Sequence, residues 1–216
     1  RQVFLASGAR LLPVPVDEDG LDLGAAKCVD ARLAYVTPSH QFPTGAVMSL
    51  SRRLALLEWA RKHDGYVVED DYDSEFRYQG RPIEAVQGLD RYHRTIYIGT
   101  FSKVLSPALR IGYMVLPEHL VEVFQAAKWL NDRHTPRLEQ MVAAAFIEQG
   151  YFEQHLRRMR QVNALRRAAA LRAIERHLGT AVDVVGTNAG LHLLLWLRGV
   201  RREDLAQLQA RARAVD

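Results

Sequence analysis

The chain has 216 residues, of which 48% are hydrophobic and 25% charged, and its formal net charge is +4 at pH 7. This composition is typical of a globular protein with a substantial core, and the mild positive charge permits a nucleic-acid partner without requiring one. No apolar run approaches the roughly 20 residues of a membrane span, so we expect a cytoplasmic protein without a membrane partner. The single cysteine excludes an intramolecular disulfide and a cysteine-rich zinc site.

The first half of the chain alternates short apolar runs with a helical pattern. A short helix or turn is predicted within residues 2–12, and buried strands are predicted at 33–37 and 66–69. Between these strands, leucines recur at helical spacing after Ser49, which offers an N-cap, and Gly65 ends the pattern. Strands that alternate with helices form βαβ units, so we predict an α/β fold with a mainly parallel sheet flanked by helices.

The second half changes character. Strand-like runs at 95–98 and 111–115 are followed by helices at about 120–130, 135–150 and 151–178, then by strands at 182–185 and 191–197 and a helix start near Arg202. The switch to a long helix and a new strand pair predicts a large domain over residues 1–150. Residues 151–216 would form an interdomain helix and the start of a small C-terminal α/β domain. Because the chain opens and closes within a pattern, we expect it to be a fragment.

One lysine lies where a predicted strand gives way to a loop. Lys103 follows the strand at 95–98, the hydroxyls of Thr100 and Ser102 lie beside it, and Arg110 precedes the next strand. Ligands of α/β sheets bind beyond the carboxyl ends of strands, and hydroxyls with a guanidinium suit a phosphate. The segment therefore predicts a phosphate site next to an amine that can form an imine with a phosphorylated aldehyde. Taken alone, a Ser-Lys pair is more often a solvated surface feature.

An acidic cluster closes the preceding strand. Asp70 follows two valines and is expected to be partly buried, so its carboxylate needs a cationic or donor partner. A pyridinium nitrogen is such a partner, and a lysine imine with an aspartate on the ring nitrogen is typical of pyridoxal phosphate sites. Tyr72 could bond the phenolic oxygen of that cofactor or be an ordinary half-buried tyrosine. The alternative is that Asp70, Asp71 and Asp73 bind a divalent cation, as in a metal hydrolase.

Four motifs occur in a characteristic order along the chain. They are His40 to Gly45, Glu69 to Tyr78, Thr100 to Lys103 with Arg110, and His155 to Arg160. The set resembles fold-type-I pyridoxal-phosphate aminotransferases and, more narrowly, the aminotransferase-like domain of MocR/PdxR-type regulators of the GntR superfamily. Many aminotransferases have an asparagine before the Pro-Thr-Gly turn, but Phe42 stands there in this chain, as an apolar or aromatic residue does in the regulators.

This resemblance implies roles for six residues. Lys103 would hold pyridoxal 5'-phosphate as an internal aldimine, Asp70 would pair with the pyridine nitrogen and Tyr72 with the ring hydroxyl. Thr100, Ser102 and Arg110 would hold the phosphate. No metal is expected.

The resemblance also implies a function and partners. The expected function is an effector-sensing domain of a transcriptional regulator, in which pyridoxal phosphate or an amine adduct of it is the effector. DNA would bind through a winged-helix module that is not in this chain, and the protein would be a homodimer. The arginine that clamps a substrate carboxylate in the family would lie past Asp216. A genuine class I/II aminotransferase acting on an amino acid is the alternative, so whether the protein is an enzyme stays open at this point.

Overall fold

The computed structural model describes residues 2–25, 30–78, 80 and 83–214. Its helices are α1 (Gln2–Ala6), α2 (Leu50–Lys62), α3 (Val86–Leu89), α4 (Val121–Asp132), α5 (Arg137–Glu148), α6 (Tyr151–Leu178) and α7 (Leu205–Arg213). Its strands are β1 (Val16–Asp17), β2 (Gly20–Leu21), β3 (Leu33–Val36), β4 (Tyr66–Asp71), β5 (Thr95–Thr100), β6 (Gly112–Val115), β7 (Val182–Val185) and β8 (Leu194–Leu197). None of the described helices combines the length and the apolar character needed to cross a membrane.

The central sheet contains four strands in the order β3, β4, β5, β6. The pairs β3–β4 and β4–β5 are parallel, whereas β6 runs antiparallel to β5. The prediction of a mainly parallel sheet flanked by helices is confirmed. The connection between β5 and β6, residues 101–111, contains one short 3-10 helix at Pro107–Leu109 and not the α-helix of a usual parallel crossover, in keeping with the antiparallel direction of β6.

The core lies between this sheet and α2. Leu56, Leu57 and Ala60 are buried on one face of α2, where they pack against Val36 of β3 and Val67 of β4. Leu56 and Leu57 each lie three or four positions from Ala60 and so share one face of the helix. The other two leucines of the predicted pattern, Leu50 and Leu54, are about half exposed and do not belong to this core.

A buried ion pair organises the loops around the core. Arg53 of α2 and Glu69 of β4 are both fully buried, and their charged groups lie 3.8 Å apart. The Arg53 guanidinium donates to three backbone carbonyls, those of Met48, Glu84 and Pro38. Burial raises the pKa of Glu69, although its carboxylate accepts the backbone N–H groups that begin α3.

The C-terminal part consists of α6, the antiparallel hairpin β7–β8 and α7. The hairpin forms a separate two-stranded sheet, as β1 and β2 do near the start of the chain. The loop between β7 and β8 reaches the central sheet's side of the molecule, where Arg77 and Ala189 form an isolated β-bridge. The domain boundary near residue 150 stays a prediction.

Candidate functional site

The topology of the central sheet brings the predicted site segments to one edge. Asp70 pairs with Ile98 in the parallel ladder of β4 and β5, so both strands end at the same edge. Thr100 pairs with Gly112 in the antiparallel ladder, which places the start of β6, and Arg110 just before it, at that edge too. This is the position where ligands bind in α/β sheets.

Lys103 is held outward by its neighbours in sequence. Val104, which follows the lysine in sequence, is buried in a cluster with Phe76 and Leu156. Phe101, two residues before the lysine, packs against the same cluster. The backbone carbonyl of Val104 also accepts a hydrogen bond of 2.8 Å from His155. Because the residues on both sides are anchored, the short loop exposes the side chain of Lys103 at the sheet edge.

The three predicted phosphate ligands belong to two backbone segments that are bonded to each other. The N–H of Phe101 donates to the carbonyl of Ile111 at 3.0 Å, so the segment carrying Thr100 and Ser102 lies against the residue that follows Arg110. The Ser102 N–H donates to Thr100 Oγ1 at 3.1 Å. Arg110 itself is exposed and has a left-handed backbone with φ of 52°.

A glycine is required at the end of β5 by a close aromatic contact. Gly99 faces Tyr113 across the antiparallel pair, and a Cβ at this position would overlap the Tyr113 ring. The ring of Phe101 lies 5.6 Å from that of Tyr113. The glycine therefore lets β6 approach β5 closely at the position just before the lysine loop.

Asp70 is partly buried, as the sequence predicts, and has a partner that the sequence does not reveal. The hydroxyl of Tyr35 on β3 donates a hydrogen bond to Asp70 Oδ2. Partial burial is the largest cause that raises the pKa of Tyr35, and the hydrogen bond to Asp70 and the charge of Asp70 raise it further. The phenol thus stays protonated and fixes one carboxylate oxygen, which leaves Oδ1 for a further donor.

Tyr72 also makes a contact that sequence reasoning missed. Its hydroxyl donates a hydrogen bond of 2.8 Å to the backbone carbonyl of His40, in the loop after β3. Partial burial and then the negative charges of Asp73 and Asp70 raise the pKa of Tyr72, which keeps the hydroxyl a donor at neutral pH.

The three aspartates at the end of β4 and just after it have three different partners rather than a common one. Asp70 accepts from Tyr35, Asp71 accepts from Tyr97 at 2.9 Å, and Asp73 accepts from His40 at 3.0 Å. Within the described residues these carboxylates do not form a group that could hold a cation together. The structure therefore gives no support to a cation site built from the aspartate cluster.

Asp73 instead belongs to a group with the buried His40 and the partly buried His192, and the ligand atoms of the three residues lie within 4.8 Å of one another. The two imidazole rings are stacked, with centroids 4.1 Å apart and planes inclined at 31°. An imidazole binds a metal in its ring plane at about 2.0–2.1 Å, whereas these two rings face each other with a tilt of 31° instead of meeting edge to edge. This geometry suits ring packing better than metal coordination. Partial burial, followed by the charge of His40, lowers the pKa of His192.

The donors and acceptors at the edge match pyridoxal phosphate in their chemistry. Asp70 Oδ1 can accept from a protonated ring nitrogen, and the hydroxyls of Thr100 and Ser102 with the Arg110 guanidinium can bind a phosphate. Lys103 offers an exposed amine. Phe42, whose side chain is 65% exposed, has no group that could bond a ring oxygen, which leaves that role to Tyr72. The individual roles of these residues stay predictions.

The sequence matches the family profile described as "Aminotransferase class I and II" over residues 4–212. Its relatives include an uncharacterized HTH-type transcriptional regulator, YdeL of Bacillus subtilis, which is 43% identical over 90% of this chain and 42% of that protein. The probable rhizopine catabolism regulatory protein MocR of Rhizobium meliloti is also 43% identical, over 88% of this chain and 39% of MocR. The chain thus spans less than half the length of these curated relatives.

Solved structures show the same fold. The α-aminoadipate aminotransferase LysN of Thermus thermophilus, crystallised with N-(5'-phosphopyridoxyl)-L-leucine, superposes with a TM-score of 0.85 and 35% identity over 97% of this chain and 56% of LysN. The fold-type-I aminotransferase architecture is confirmed, and the ligand of LysN supports pyridoxal 5'-phosphate as the cofactor of this fold. The resemblance to MocR-type regulators is likewise confirmed by the relatives. The chain belongs to the aminotransferase class I and II family.

Proposed function

We propose that this chain is the effector-sensing part of a MocR-type, DNA-binding transcriptional regulator and that it binds pyridoxal 5'-phosphate through Lys103. The observation that carries the proposal is the sheet edge shared by the ends of β4 and β5 and the start of β6, in a chain whose curated relatives include HTH-type regulators. The protein would act in the cytoplasm as a homodimer, with DNA bound by a helix-turn-helix module outside this chain.

Each residue would act on a defined part of the ligand. Pyridoxal phosphate supplies an aldehyde that reacts reversibly with amines and a ring that accepts electrons when its nitrogen is protonated. Asp70 would hold the proton on that nitrogen by its charge, and Tyr35 would orient Asp70 through its hydroxyl. Thr100, Ser102 and Arg110 would bind the phosphate, while Lys103 would supply the amine.

A genuine aminotransferase is the second candidate, favoured by the likeness to LysN. In that case Lys103 would also move a proton to and from the substrate carbon. The two candidates differ in what an added amine does to the purified full-length protein. A regulator should change its affinity for DNA without consuming the amine. An aminotransferase given an amino acid together with a second oxo acid as amino acceptor should convert the first to its oxo acid and the second to an amino acid over many turnovers.

The cofactor proposal is tested by absorption spectroscopy of the full-length protein. Added pyridoxal phosphate should produce the visible absorption of a lysine-bound chromophore, and Lys103→Ala should abolish it. Lys62→Ala is the matched control, because Lys62 is an exposed lysine on α2 whose ammonium lies 3.6 Å from Glu58. An unchanged spectrum in Lys103→Ala would refute the assignment.

Asp70 is tested by cofactor retention. Loss of a charged hydrogen bond changes a binding constant by about tenfold or more, so Asp70→Asn should release pyridoxal phosphate at least that much more readily. Asp71→Asn serves as the control, since Asp71 lies next in the chain but bonds Tyr97. Equal retention in the two variants would contradict the role given to Asp70.

A further inference from the structure

The loop between β7 and β8 docks against the loops that carry the site. We call residues 186–192 the docking turn. The N–H of Gly190 donates to the carbonyl of Phe76 at 2.6 Å, and the N–H of Leu191 donates to Asp73 Oδ2 at 2.8 Å. Two backbone N–H groups of the docking turn therefore tie it to the segment that follows Tyr72, one to a backbone carbonyl and one to the Asp73 side chain.

His40 lies at the centre of this contact. Its side chain is 1% exposed, its Nδ1 donates to Asp73 Oδ2 at 3.0 Å, and its ring stacks on that of His192. Asp73 accepts from both sides of the contact, from His40 and from Leu191 of the docking turn. The position of the docking turn thus depends on where the His40 segment is held.

The His40 segment is in turn held by Tyr72. The backbone carbonyl of His40 accepts the hydrogen bond of the Tyr72 hydroxyl, at 2.8 Å. A phenol has a single proton, so Tyr72 can donate to His40 or to an oxygen of a bound ligand, but not fully to both.

We propose that Tyr72 gives up its hydrogen bond to His40 when it bonds the ring oxygen of pyridoxal phosphate, and that His40 and Asp73 transmit this exchange to the docking turn. The inference rests on the proposed function and adds to it a physical route from the cofactor to the C-terminal part. His40 and Asp73 are positioning residues on this route, since they act through Tyr72 and through the docking turn. Coupling of this kind requires that the ligand distinguish two arrangements of one element, and the two acceptors of the Tyr72 proton define them.

The route is tested by hydrogen exchange of the full-length protein with and without pyridoxal phosphate, followed on the peptide that spans residues 186–192. Loss of one ordinary hydrogen bond corresponds to about a fivefold change in a local opening equilibrium. Binding of pyridoxal phosphate should therefore speed the exchange of the Gly190 and Leu191 amides by about fivefold. The same binding should slow the exchange of the amides near Thr100 and Ser102.

Variants separate this route from a general effect of ligand binding. Tyr72→Phe should show the faster exchange already without cofactor and should respond no further to it. Asp73→Asn should retain pyridoxal phosphate and exchange fast in both states. The control Asp71→Asn, on the same segment but bonded to Tyr97, should respond as the unmodified protein does.

Two results would overturn the inference. The first is a docking turn whose exchange does not change although the absorption spectrum shows bound cofactor, which leaves the cofactor proposal intact. The second is an unchanged response in Tyr72→Phe. If the spectrum shows no bound cofactor in the unmodified protein, the proposed function fails and the inference fails with it.

Discussion

Replacing Gly190 by alanine should lower the stability of the protein by more than the cost of the left-handed backbone alone. Gly190 has φ of 75°, in the left-handed region that favours glycine. A Cβ at this position would overlap His40 Nδ1 and would lie 2.5 Å from Asp73 Oδ2. Both of these side chains are 1% exposed, so neither can turn away into solvent. The alanine must therefore displace the docking turn or break the hydrogen bond between His40 and Asp73.

The expected loss of stability has two parts. The left-handed backbone costs an alanine about 1–2 kcal/mol, partly offset by about 0.4–1 kcal/mol because the unfolded chain loses freedom. Overpacking of a buried contact adds about 1–3 kcal/mol. The sum is a loss of about 1–5 kcal/mol, most of it from the contact with His40 and Asp73.

Gly199 provides the matched control. Its φ is 71°, close to that of Gly190, but a Cβ there would meet no atom of the described part of the chain within 4 Å. Gly199→Ala should therefore cost only the backbone part, about 1 kcal/mol. Urea unfolding followed by circular dichroism measures both variants, because a lower midpoint at constant slope reports lower stability. Equal midpoints for Gly190→Ala and Gly199→Ala would refute the packing of the docking turn described above.

Two further predictions concern stability. Leu56→Ala should lower the free energy of unfolding by about 3 kcal/mol, since Leu56 is fully buried. The control Leu54→Ala, on the exposed side of α2, should lower it by less than about 1 kcal/mol. Thermal or urea unfolding measures both variants. The pKa of His192 is lowered in the folded protein, where its ring faces His40, Asp73 and the Pro43 carbonyl, so the unfolded chain takes up a proton more readily. The neutral ring therefore stabilises the fold fully above about pH 6.5, and this stabilisation is lost as the pH falls below that value. His192→Asn should reduce that acid-induced loss, and an unchanged pH profile of the urea midpoint would contradict it.

The central sheet and the long helix could be predicted from the sequence because their signals are local. The apolar runs before residues 37 and 70 are strands, although Leu33 and Tyr35 of the first are about half exposed and not buried as predicted. Helix α6 has the predicted bounds, since a glycine precedes and follows its helical pattern. Residues 191–193 do not belong to β8, which begins at Leu194. Leu191 instead donates its N–H to Asp73, a partner 118 residues away that no periodicity reveals.

Two details of helix formation could not be predicted from local sequence patterns. The prediction that Ser49 caps α2 with its side chain is wrong, because Ser49 is at the N-cap position but its hydroxyl bonds that of Ser51 at 3.0 Å. The short helix α3 was not predicted. Its first two N–H groups, those of Val86 and Gln87, donate to the buried carboxylate of Glu69, which comes from a different strand. Capping by a tertiary contact leaves no signal near the helix itself.

In the candidate site, too, local sequence signals could be predicted and tertiary partners could not. Its motifs and their order indicate the residue types at the edge, but the partners Tyr35, His40 and His192 come from separate segments and were not assigned. His40 in particular was given no partner by the sequence, and the structure makes it a buried contact between two parts of the chain.

The hydrogen bond of Tyr72 to His40, together with the ligand contact proposed for Tyr72, would let a regulator be built on an enzyme's fold without new binding residues. In an enzyme, a phenol at the ligand needs only to be held in place. Here the atom that fixes Tyr72 is the carbonyl of His40, whose ring also fixes the docking turn through Asp73. Any ligand oxygen that competes for the Tyr72 proton therefore acts on two contacts at once. A difference of one hydrogen bond, about 1 kcal/mol, shifts a two-state equilibrium by about fivefold, which is in the usual range of allosteric coupling.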